Sequence, residues 1–254
     1  MALFTDGPAS SIDDLTAQDA QLLDVARVEN INLTQKLALA HEELALELSS
    51  LFGRLSYSEQ AFWCPAAPTI QSVVVTPQLK MWHTFRTLEM TYADAYNSQL
   101  NDRYAGRRDQ YRASSRWAYG KLVEAGVGIV GDPIPRAATP TLTEAPGNLP
   151  DGSYYVATGW INKAGEEGAS AAPAVITTVG SSFLVQPGTL PSNVTGWHIY
   201  AGPAPDGMVR QNSSPIPAAT NWVQPNQLSR QGAAPANGQL PNYLKPTPRV
   251  LQRG

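Results

Sequence analysis

The sequence predicts a two-part fold, a helical bundle with long helices followed by an antiparallel β-sandwich, and three observations support it. Seventeen of the 21 prolines lie after residue 131, and proline excludes long helices. Before that point apolar residues recur at helical spacing, whereas after it short β-branched and aromatic runs alternate with turn residues. We therefore expect a helical domain at 1–131, a proline-rich linker at 132–148, the sandwich at 149–240 and an extended tail at 241–254.

Composition and charge exclude several classes of protein. The net charge of −3 provides no overall attraction to nucleic acid or to anionic membranes. A single cysteine, Cys64, excludes an internal disulfide framework, which fits assembly in a reducing compartment. The first residues have neither a basic start nor an apolar run, and no apolar stretch is long enough to span a bilayer. We therefore expect no signal peptide and no membrane partner.

Two helices are predicted before residue 53. Thr16 is placed as the N-cap of a helix that runs to about Glu29, and Asn32 as the cap of a second helix from Leu33 to about Phe52. Four leucines of the second helix share one face and two others lie on another side: Leu37, Leu44, Leu48 and Leu51 against Leu39 and Leu46. A helix that is apolar on two sides either packs in a core on both or contacts another molecule.

A longer helix is predicted after an irregular segment at 53–75, which could end in a short strand at 70–75. Thr76 and Pro77 are typical of a helix start. Aromatic and apolar residues then keep helical spacing as far as Leu122, so we expect one long helix or two collinear ones, weakened near Asn101 and Gly106. An unbroken helix from 77 to 125 would be roughly 70 Å long. That length exceeds what one small domain needs and suggests an assembly.

Charge is sorted between the two halves of the helical region. Residues 1–75 hold three Lys or Arg against ten Asp or Glu, whereas residues 76–121 hold eight against four. We therefore predict a subunit interface between acidic and basic helices. Its candidate residues are Asp13, Asp14, Asp19 and Asp24 on one subunit and Arg103, Arg107, Arg108, Arg112 and Arg116 on the next. A solvated basic face remains an alternative, and direct DNA binding lacks a recognition-helix motif.

Four segments of the helical region carry a family resemblance: 82–88 (WHTFRTL), 92–97 (YADAYN), 99–104 (QLNDRY) and the pattern at 31–43. Over residues 10–132 the chain resembles the head-to-tail adaptor, or connector, proteins of tailed bacteriophages. The resemblance implies a homo-oligomeric ring, usually of twelve copies, beneath the portal protein and joined to tail or neck proteins. It implies that double-stranded DNA passes through the lumen without sequence-specific binding. It also implies location in the virion neck, with assembly in the host cytoplasm.

Motifs for catalysis or cofactor binding fail in their context. Residues 126–131 spell G-x-G-x-x-G, but they follow a helix and lead into Pro133, whereas a dinucleotide site needs a strand before the motif and a helix after it. His41-Glu42 begins like a zinc-protease helix, yet Ala45 stands where the second histidine is required. We expect no catalytic residue, no metal and no cofactor, although Cys64 with a histidine leaves a hydrolase as a remote alternative.

The second half predicts six short strands separated by glycine and proline turns, at 152–162, 174–179, 182–185, 195–201, 208–211 and 220–223. Residues 149–154 resemble the tyrosine corner, and residues 195–202 the tryptophan strand, of fibronectin type III and immunoglobulin-like modules of phage structural proteins. The order of these two segments is the reverse of the usual one.

The tryptophans of this half, Trp160, Trp197 and Trp222, are interpreted either as core residues or as an exposed platform for host glycans. The second interpretation supports an alternative function, in which the chain is a tail or fibre accessory protein that binds host-surface glycans through its β-sandwich.

Overall fold

The chain folds as two compact units, described by a computed structural model at residues 1–53, 68–99, 102–224 and 226–245. The helical unit contains Gly7–Gly131 and the segment from Pro241, whereas the β unit contains Met1–Asp6 and Asp132–Leu240. The chain therefore passes between the units three times. Each unit includes a segment from the far end of the chain, which the prediction of consecutive domains did not include.

The described part of the helical unit has five α-helices. They are α1 (Ile12–Gln18), α2 (Leu22–Val28), α3 (Leu33–Gly53), α4 (Pro77–Gln99) and α5 (Ala105–Ala125). Their shared core contains Leu15, Leu22, Leu37, Leu88, Tyr92 and Tyr111.

The prediction of one helix from Thr16 to Glu29 is wrong, because α1 begins earlier and the helix is interrupted at Asp19. The Ser11 side chain accepts a hydrogen bond from the Asp14 N–H, and the Asp14 carboxylate accepts one from the Ser11 N–H. This reciprocal capping box starts α1 before Thr16. At Asp19 the backbone is extended and its carboxylate accepts from the Gln21 N–H, which ends α1 and starts α2.

Helix α3 confirms the prediction for its start and for its two apolar sides. Asn32 Oδ1 accepts a hydrogen bond of 3.1 Å from the Gln35 N–H, as an N-cap does. The stripe of Leu37, Leu44, Leu48 and Leu51 is buried. Leu46 on the other side is 73% exposed, so α3 presents an apolar residue to the surroundings.

Helices α4 and α5 fold back on each other, so the prediction of one long or two collinear helices is wrong. Thr76 caps α4 as predicted, since its Oγ1 accepts from the Leu79 N–H at 3.3 Å. The rings of Tyr92 and Tyr111 stack with centroids 5.4 Å apart, and Trp82 contacts Tyr119 at 4.9 Å. Residues later in α5 thus meet residues earlier in α4, which defines an antiparallel pair. Aromatic packing between the two helices replaces the extended shape that suggested an assembly.

Part of the G-x-G-x-x-G motif forms a strand, and this strand pairs with a segment more than a hundred residues later in the sequence. Strand β1 (Val127–Ile129) pairs antiparallel with β10 (Asn242–Leu244). Gly126 has a φ of 99°, and a Cβ there would lie 3.0 Å from the Leu244 carbonyl oxygen. A Cβ at Gly128 would lie 3.0 Å from the Pro241 Cβ. Gly126 therefore provides a turn close to the backbone of β10, and Gly128 leaves room for the side chains packed against it. Residues 246–254 of the predicted tail lie outside the described residues.

The short strand predicted at 70–75 is replaced by a turn of 3₁₀-helix at Ile70–Ser72. Val73, which follows it, forms an isolated bridge with Ile129 of β1. Residues 54–67 of the predicted irregular segment, including Cys64, lie outside the described residues.

The β unit has two antiparallel sheets. One has the order β2 (Thr141–Ala145), β5 (Ser182–Gln186), β9 (Trp222–Val223). The other has the order β4 (Ala174–Thr178), β3 (Gly152–Asn162), β6 (Val194–Gly202), β7 (Val209–Arg210), with β8 (Ile216–Pro217) also paired to β6. The six strands predicted from sequence are all present, with small differences at their ends.

Side chains from both sheets form one hydrophobic core, which includes Val156 of β3, Phe183 of β5 and Trp197 of β6. Ile134 and Ala137 also belong to this core, and β2 begins at Thr141. The stretch expected to be a linker at 132–148 is therefore part of the β unit. Its prolines interrupt regular structure without preventing burial of the apolar residues between them.

Candidate functional site

A groove of about 750 Å³ lies on the helical unit between α3, α4 and α5. Its walls combine aromatic, charged and apolar side chains: Glu43, Leu44, Leu46 and Glu47 from α3, Trp82, Arg86 and Glu89 from α4, and Arg112, Ser115, Arg116 and Tyr119 from α5. Tryptophan, tyrosine and arginine are the residue types that dominate binding energy at protein–protein interfaces. The groove therefore has the composition of a binding surface.

A chain of ion pairs holds the charged wall in place. Arg86 contacts Glu43 at 2.7 Å and Glu89 at 2.8 Å, and Arg112 lies 3.4 Å from Glu89. Partial burial acts to lower the pKa of Arg86, but hydrogen bonds and charges from Glu89 and Glu43 outweigh it and raise the pKa. Arg86 thus stays charged and links α3 to α4, while Glu89 carries the connection on to Arg112 of α5.

Arg116 of the groove has no such partner, and two apolar side chains of the helical unit, Leu46 and Trp117, are exposed. Arg116 is exposed and forms no ion pair or hydrogen bond among the described residues. Trp117, next to it on α5, is 53% exposed, although its spacing predicted a place in the helical apolar pattern. Ala118 is buried instead. The helical unit thus exposes two large apolar side chains, Leu46 in the groove and Trp117 next to Arg116 in sequence.

Asp19, a predicted interface residue, is buried inside its own subunit. Its side chain is only 2% exposed. Its Oδ2 accepts hydrogen bonds from the hydroxyls of Tyr92 at 2.6 Å and Tyr111 at 2.9 Å, and the Arg107 guanidinium lies 4.0 Å away. Asp19 therefore joins the α1–α2 junction to α4 and α5, and it is unavailable to a neighbouring subunit.

Burial and hydrogen bonding together set the pKa values of Asp19 and Tyr111. Burial acts to raise the pKa of Asp19, yet hydrogen bonds from Tyr92, the Gln21 N–H and Tyr111 together lower it. Burial and the Asp19 hydrogen bond raise the pKa of Tyr111 to about 12. The carboxylate is thus held ionised and the tyrosine protonated at neutral pH.

The other predicted acidic residues differ in their availability. Asp14 pairs with Lys80 of the same subunit at 2.7 Å. Asp13 of α1 and Asp24 of α2 are exposed and form no ion pair among the described residues. Of the four predicted acidic residues, only Asp13 and Asp24 therefore remain free to form an ion pair with a partner.

The five arginines predicted at the interface have different surroundings. Arg103 lies over the Tyr104 ring, Arg107 faces Asp19, and Arg108 lies 4.2 Å from the Tyr96 ring centroid while pairing with Asp109. Arg112 and Arg116 alone come together, in the groove.

A serine–histidine pair exists but is enclosed. Ser10 Oγ lies 2.6 Å from His83 Nδ1, and His83 Nε2 lies 3.1 Å from the Leu37 carbonyl oxygen. Because a carbonyl only accepts, Nε2 carries the proton and the serine hydroxyl donates to Nδ1. Ser10 and His83 are 5% and 0% exposed, so this pair connects elements rather than meeting a substrate. In the described part of the chain, no cluster of three or more His, Cys, Asp or Glu could hold a metal ion.

The tryptophans proposed as a glycan platform are largely buried. Trp160 is 5% exposed and Trp197 is 0% exposed, and they stand opposite each other on β3 and β6. Trp222 is half-buried against the same core. The core interpretation holds for Trp160 and Trp197, because both are buried in the hydrophobic core of the β unit.

Comparison with protein-family models, with curated proteins and with solved structures gives no match to this chain. None of the helices in the described ranges is both long and apolar enough to cross a membrane.

Much of the groove was missed by sequence reasoning. Its aromatic contact between Trp82 and Tyr119 joins residues 37 positions apart, and only the fold-back of α5 brings them together. One signal was present: the off-stripe position of Leu46 indicated a second apolar side on α3. For Trp117, helical spacing alone could not separate a buried position from an exposed one.

Proposed function

We propose that this protein is a structural component of a tailed-phage virion, a head-to-tail adaptor that forms a ring beneath the portal. The ring, of twelve copies by the resemblance, connects the capsid to the tail and lines the DNA channel. The observation that carries the proposal is the groove between α3, α4 and α5, with the uncovered Leu46 and Trp117 beside it. A lone subunit gains nothing from exposing a tryptophan next to an unpaired arginine, whereas association buries both.

The helical unit is also built to be rigid at this surface. The Arg86 ion pairs connect α3 and α4, and Arg112 connects α5 to the same Glu89. A surface whose side chains are already held in place loses less conformational entropy when a partner binds. This supports a role in assembly.

For the β unit, we propose an immunoglobulin- or fibronectin-like sandwich that faces collar or tail proteins. Two observations support it. The Tyr154 hydroxyl donates a hydrogen bond of 2.7 Å to the carbonyl oxygen of Pro150, four residues upstream, as a tyrosine corner does. Trp197 is buried in a core to which both sheets contribute. The burial of Trp160 and Trp197 favours this proposal over the glycan-binding alternative, which depended on exposed tryptophans.

A structural role is further supported by the accessibility of the reactive groups. In the described ranges, the Ser10–His83 pair is enclosed, and the groove holds charged pairs that already neutralise each other. Neither arrangement offers a nucleophile to a substrate.

The test is to mix the purified protein with the portal ring of its virion and to determine its oligomeric state by native mass spectrometry and negative-stain microscopy. We expect rings of uniform copy number, on the portal or in isolation. A protein that stays monomeric and does not bind the portal over a range of salt and concentration would contradict the proposal.

A further inference from the structure

His198 is a buried histidine on the outer face of the larger sheet of the β unit. It belongs to β6, where its neighbours Trp197 and Ile199 contribute to the hydrophobic core, so His198 points away from that core. Arg210 of β7 lies on the same face, since it stands opposite Tyr200, two residues after His198. His198 is only 6% exposed, so the polar atoms of its ring need hydrogen-bond partners.

Asn212 decides which ring nitrogen of His198 carries the proton. Its Oδ1 accepts a hydrogen bond of 3.0 Å from the Ile199 N–H, and its Nδ2 donates one of 2.6 Å to the Ser214 carbonyl oxygen, so the orientation of the amide is fixed on both sides. The same Nδ2 lies 2.9 Å from Nδ1 of His198. Because Nδ2 only donates, Nδ1 accepts and is unprotonated. Burial and the positive charge of Arg210 lower the pKa of His198, so the ring is neutral at neutral pH and its one proton is on Nε2.

Nε2 of His198 faces a second donor. Nη1 of the Arg210 guanidinium lies 3.4 Å from it. A guanidinium only donates, and the protonated Nε2 donates too, so no hydrogen bond can join them. Arg210 is half-buried, and within the described residues it forms no ion pair and no other side-chain hydrogen bond. Two donors therefore meet without an acceptor, and one of them carries a positive charge.

The two donors are placed so that one oxygen can serve both. Donors that lie 3.4 Å apart can both reach an oxygen beside the line that joins them, at about 2.9 Å from each. A water molecule would leave the guanidinium without a counter-ion at a half-buried position. An oxyanion accepts from both donors and also neutralises the charge, which makes these hydrogen bonds stronger.

Glu167 is the nearby carboxylate, and it does not supply this acceptor. Its Oε1 accepts a hydrogen bond of 2.6 Å from the Tyr200 hydroxyl, and no ion pair joins it to Arg210 in the described structure. Burial raises the pKa of Glu167, while the hydrogen bond from Tyr200 and the charge of Arg210 act in the opposite direction. Glu167 thus weakens the attraction of Arg210 for an anion without taking the place between the two donors.

From these contacts we propose that Arg210 and His198 form a binding site for a small oxyanion on the β unit. One oxygen of the ligand, a phosphate or a carboxylate, accepts from Nη1 of Arg210 and from Nε2–H of His198. Asn212 keeps the imidazole in the tautomer that donates. The site is independent of the proposed ring, because all of its residues belong to the β unit of one subunit.

The ring nitrogens of the histidines report on the site directly. Nitrogen NMR resolves the three imidazoles of the chain, once His41 and His83 are assigned by substitution, and we expect His198 to carry its proton on Nε2. Phosphate, exchanged for chloride at constant ionic strength, should shift the Nε2 signal of His198, leave His41 and His83 unchanged and raise the melting temperature. Acetate is the second arm. A response to both anions means a site for any oxyanion, and a response to phosphate alone limits the site to tetrahedral ones.

Variants identify the donors. Arg210→Gln should weaken phosphate binding by about tenfold or more, because the charged donor is lost. Arg136→Gln is the matched control, since it removes an exposed arginine of the same unit that has no described side-chain contact with His198, and it should leave the affinity unchanged. Glu167→Gln should strengthen binding by about threefold, because it removes the opposing charge and keeps an acceptor for Tyr200. Circular dichroism verifies that each variant is folded.

Three results would overturn the proposal. A proton on Nδ1 of His198 would make Nε2 an acceptor for Arg210, and no free donor would remain. No response to either phosphate or acetate would mean that water alone occupies the position. An equal response in Arg210→Gln would mean that the anion binds elsewhere. None of these results bears on ring formation, so the adaptor proposal is decided by its own test.

Discussion

The hydroxyl of Tyr92 donates a hydrogen bond of 2.6 Å to Oδ2 of Asp19 across 73 residues of sequence. The same oxygen accepts from Tyr111, so one carboxylate connects the α1–α2 junction to both long helices. Asp19, which the sequence placed at a subunit interface, is instead an internal connection that holds the α1–α2 junction against α4 and α5.

Replacing this acid should destabilise the subunit. Asp19→Ala leaves two buried tyrosine hydroxyls without an acceptor, and we expect the free energy of unfolding to fall by about 3 kcal/mol. Asp24→Ala, at an exposed position on α2, should change it by less than about 0.5 kcal/mol. Urea denaturation followed by circular dichroism compares the two, and equal midpoints would show that the internal network carries no stability.

Stability should fall in mild acid because of His83. Burial lowers its pKa from 6.5 to about 4, so the unfolded chain binds this proton more readily than the folded one. The contribution of His83 is therefore complete above pH 6.5 and is lost as the pH falls from there toward 4, by roughly 3 kcal/mol at most.

His83→Gln tests this contribution by its effect on the pH dependence rather than on stability at one pH. The pKa values of His41 and His198 are also lowered by burial, and both act in the same direction. The variant should thus flatten, but not abolish, the slope between pH 4 and 6.5 in denaturation midpoints. An unchanged slope would exclude His83 as its main source.

The tyrosine of the β unit has a matched control one residue away. Tyr154→Phe removes the hydrogen bond to the Pro150 carbonyl oxygen and should cost about 1 kcal/mol. Tyr155→Phe, on the opposite face of β3, removes a hydroxyl with no hydrogen bond in the described structure and should cost less than half as much. Similar losses in thermal denaturation of both variants would argue against a stabilising role for the hydrogen bond between Tyr154 and Pro150.

Two glycines of the helical unit should respond to alanine with opposite signs. Gly126 has a φ of 99° and a ψ of 155°, a region open almost only to glycine, and a Cβ would approach the Leu244 carbonyl oxygen. Gly126→Ala should therefore destabilise by about 1–3 kcal/mol and increase hydrogen exchange in β10. Gly120→Ala, inside α5 with open space around it, should stabilise by about 0.5–1 kcal/mol.

The exposed tryptophan should affect assembly and not folding. Trp117→Ala removes a side chain that is 53% exposed in the subunit, so its melting temperature should hardly change, whereas ring formation should weaken at least tenfold because association would bury this indole. Met81→Ala alters another exposed apolar residue, on α4, and is the control. Loss of rings in both variants would mean that the effect is not specific to Trp117.

Local signals in the sequence predicted much of the fold. Asn32 and Thr76 mark helix starts because their side chains cap the following turn, and this chemistry depends only on nearby residues. The alternation along 152–162 likewise predicted β3. The break at Asp19 was not predicted. Its carboxylate accepts from the nearby Gln21 N–H, but it is also bound by Tyr92 and Tyr111, which lie 73 and 92 positions away in sequence.

The candidate site was harder to predict than the fold. The fold-back of α5 places Arg112 and Arg116 beside α3 and α4, and no local pattern indicates it. Strand β10 was missed for the same reason. Its three residues show little strand pattern of their own, and they pair with β1, which is distant in sequence. Charge sorting along the chain included Arg112, Arg116, Asp13 and Asp24 among its candidates, but it could not separate them from charges that are satisfied within the subunit.

The exchange of end segments between the two units sets the order in which the protein can be completed during synthesis. Strand β1 leaves the ribosome with Ile129, yet its partner β10 follows only with Leu244. At about 5–20 residues per second, this interval is on the order of ten seconds. Leu3 and Phe4 wait for the β unit in the same way, since they are buried there. A nascent chain that stops before residue 240 therefore lacks β10 of the helical unit and the last residues of the β unit.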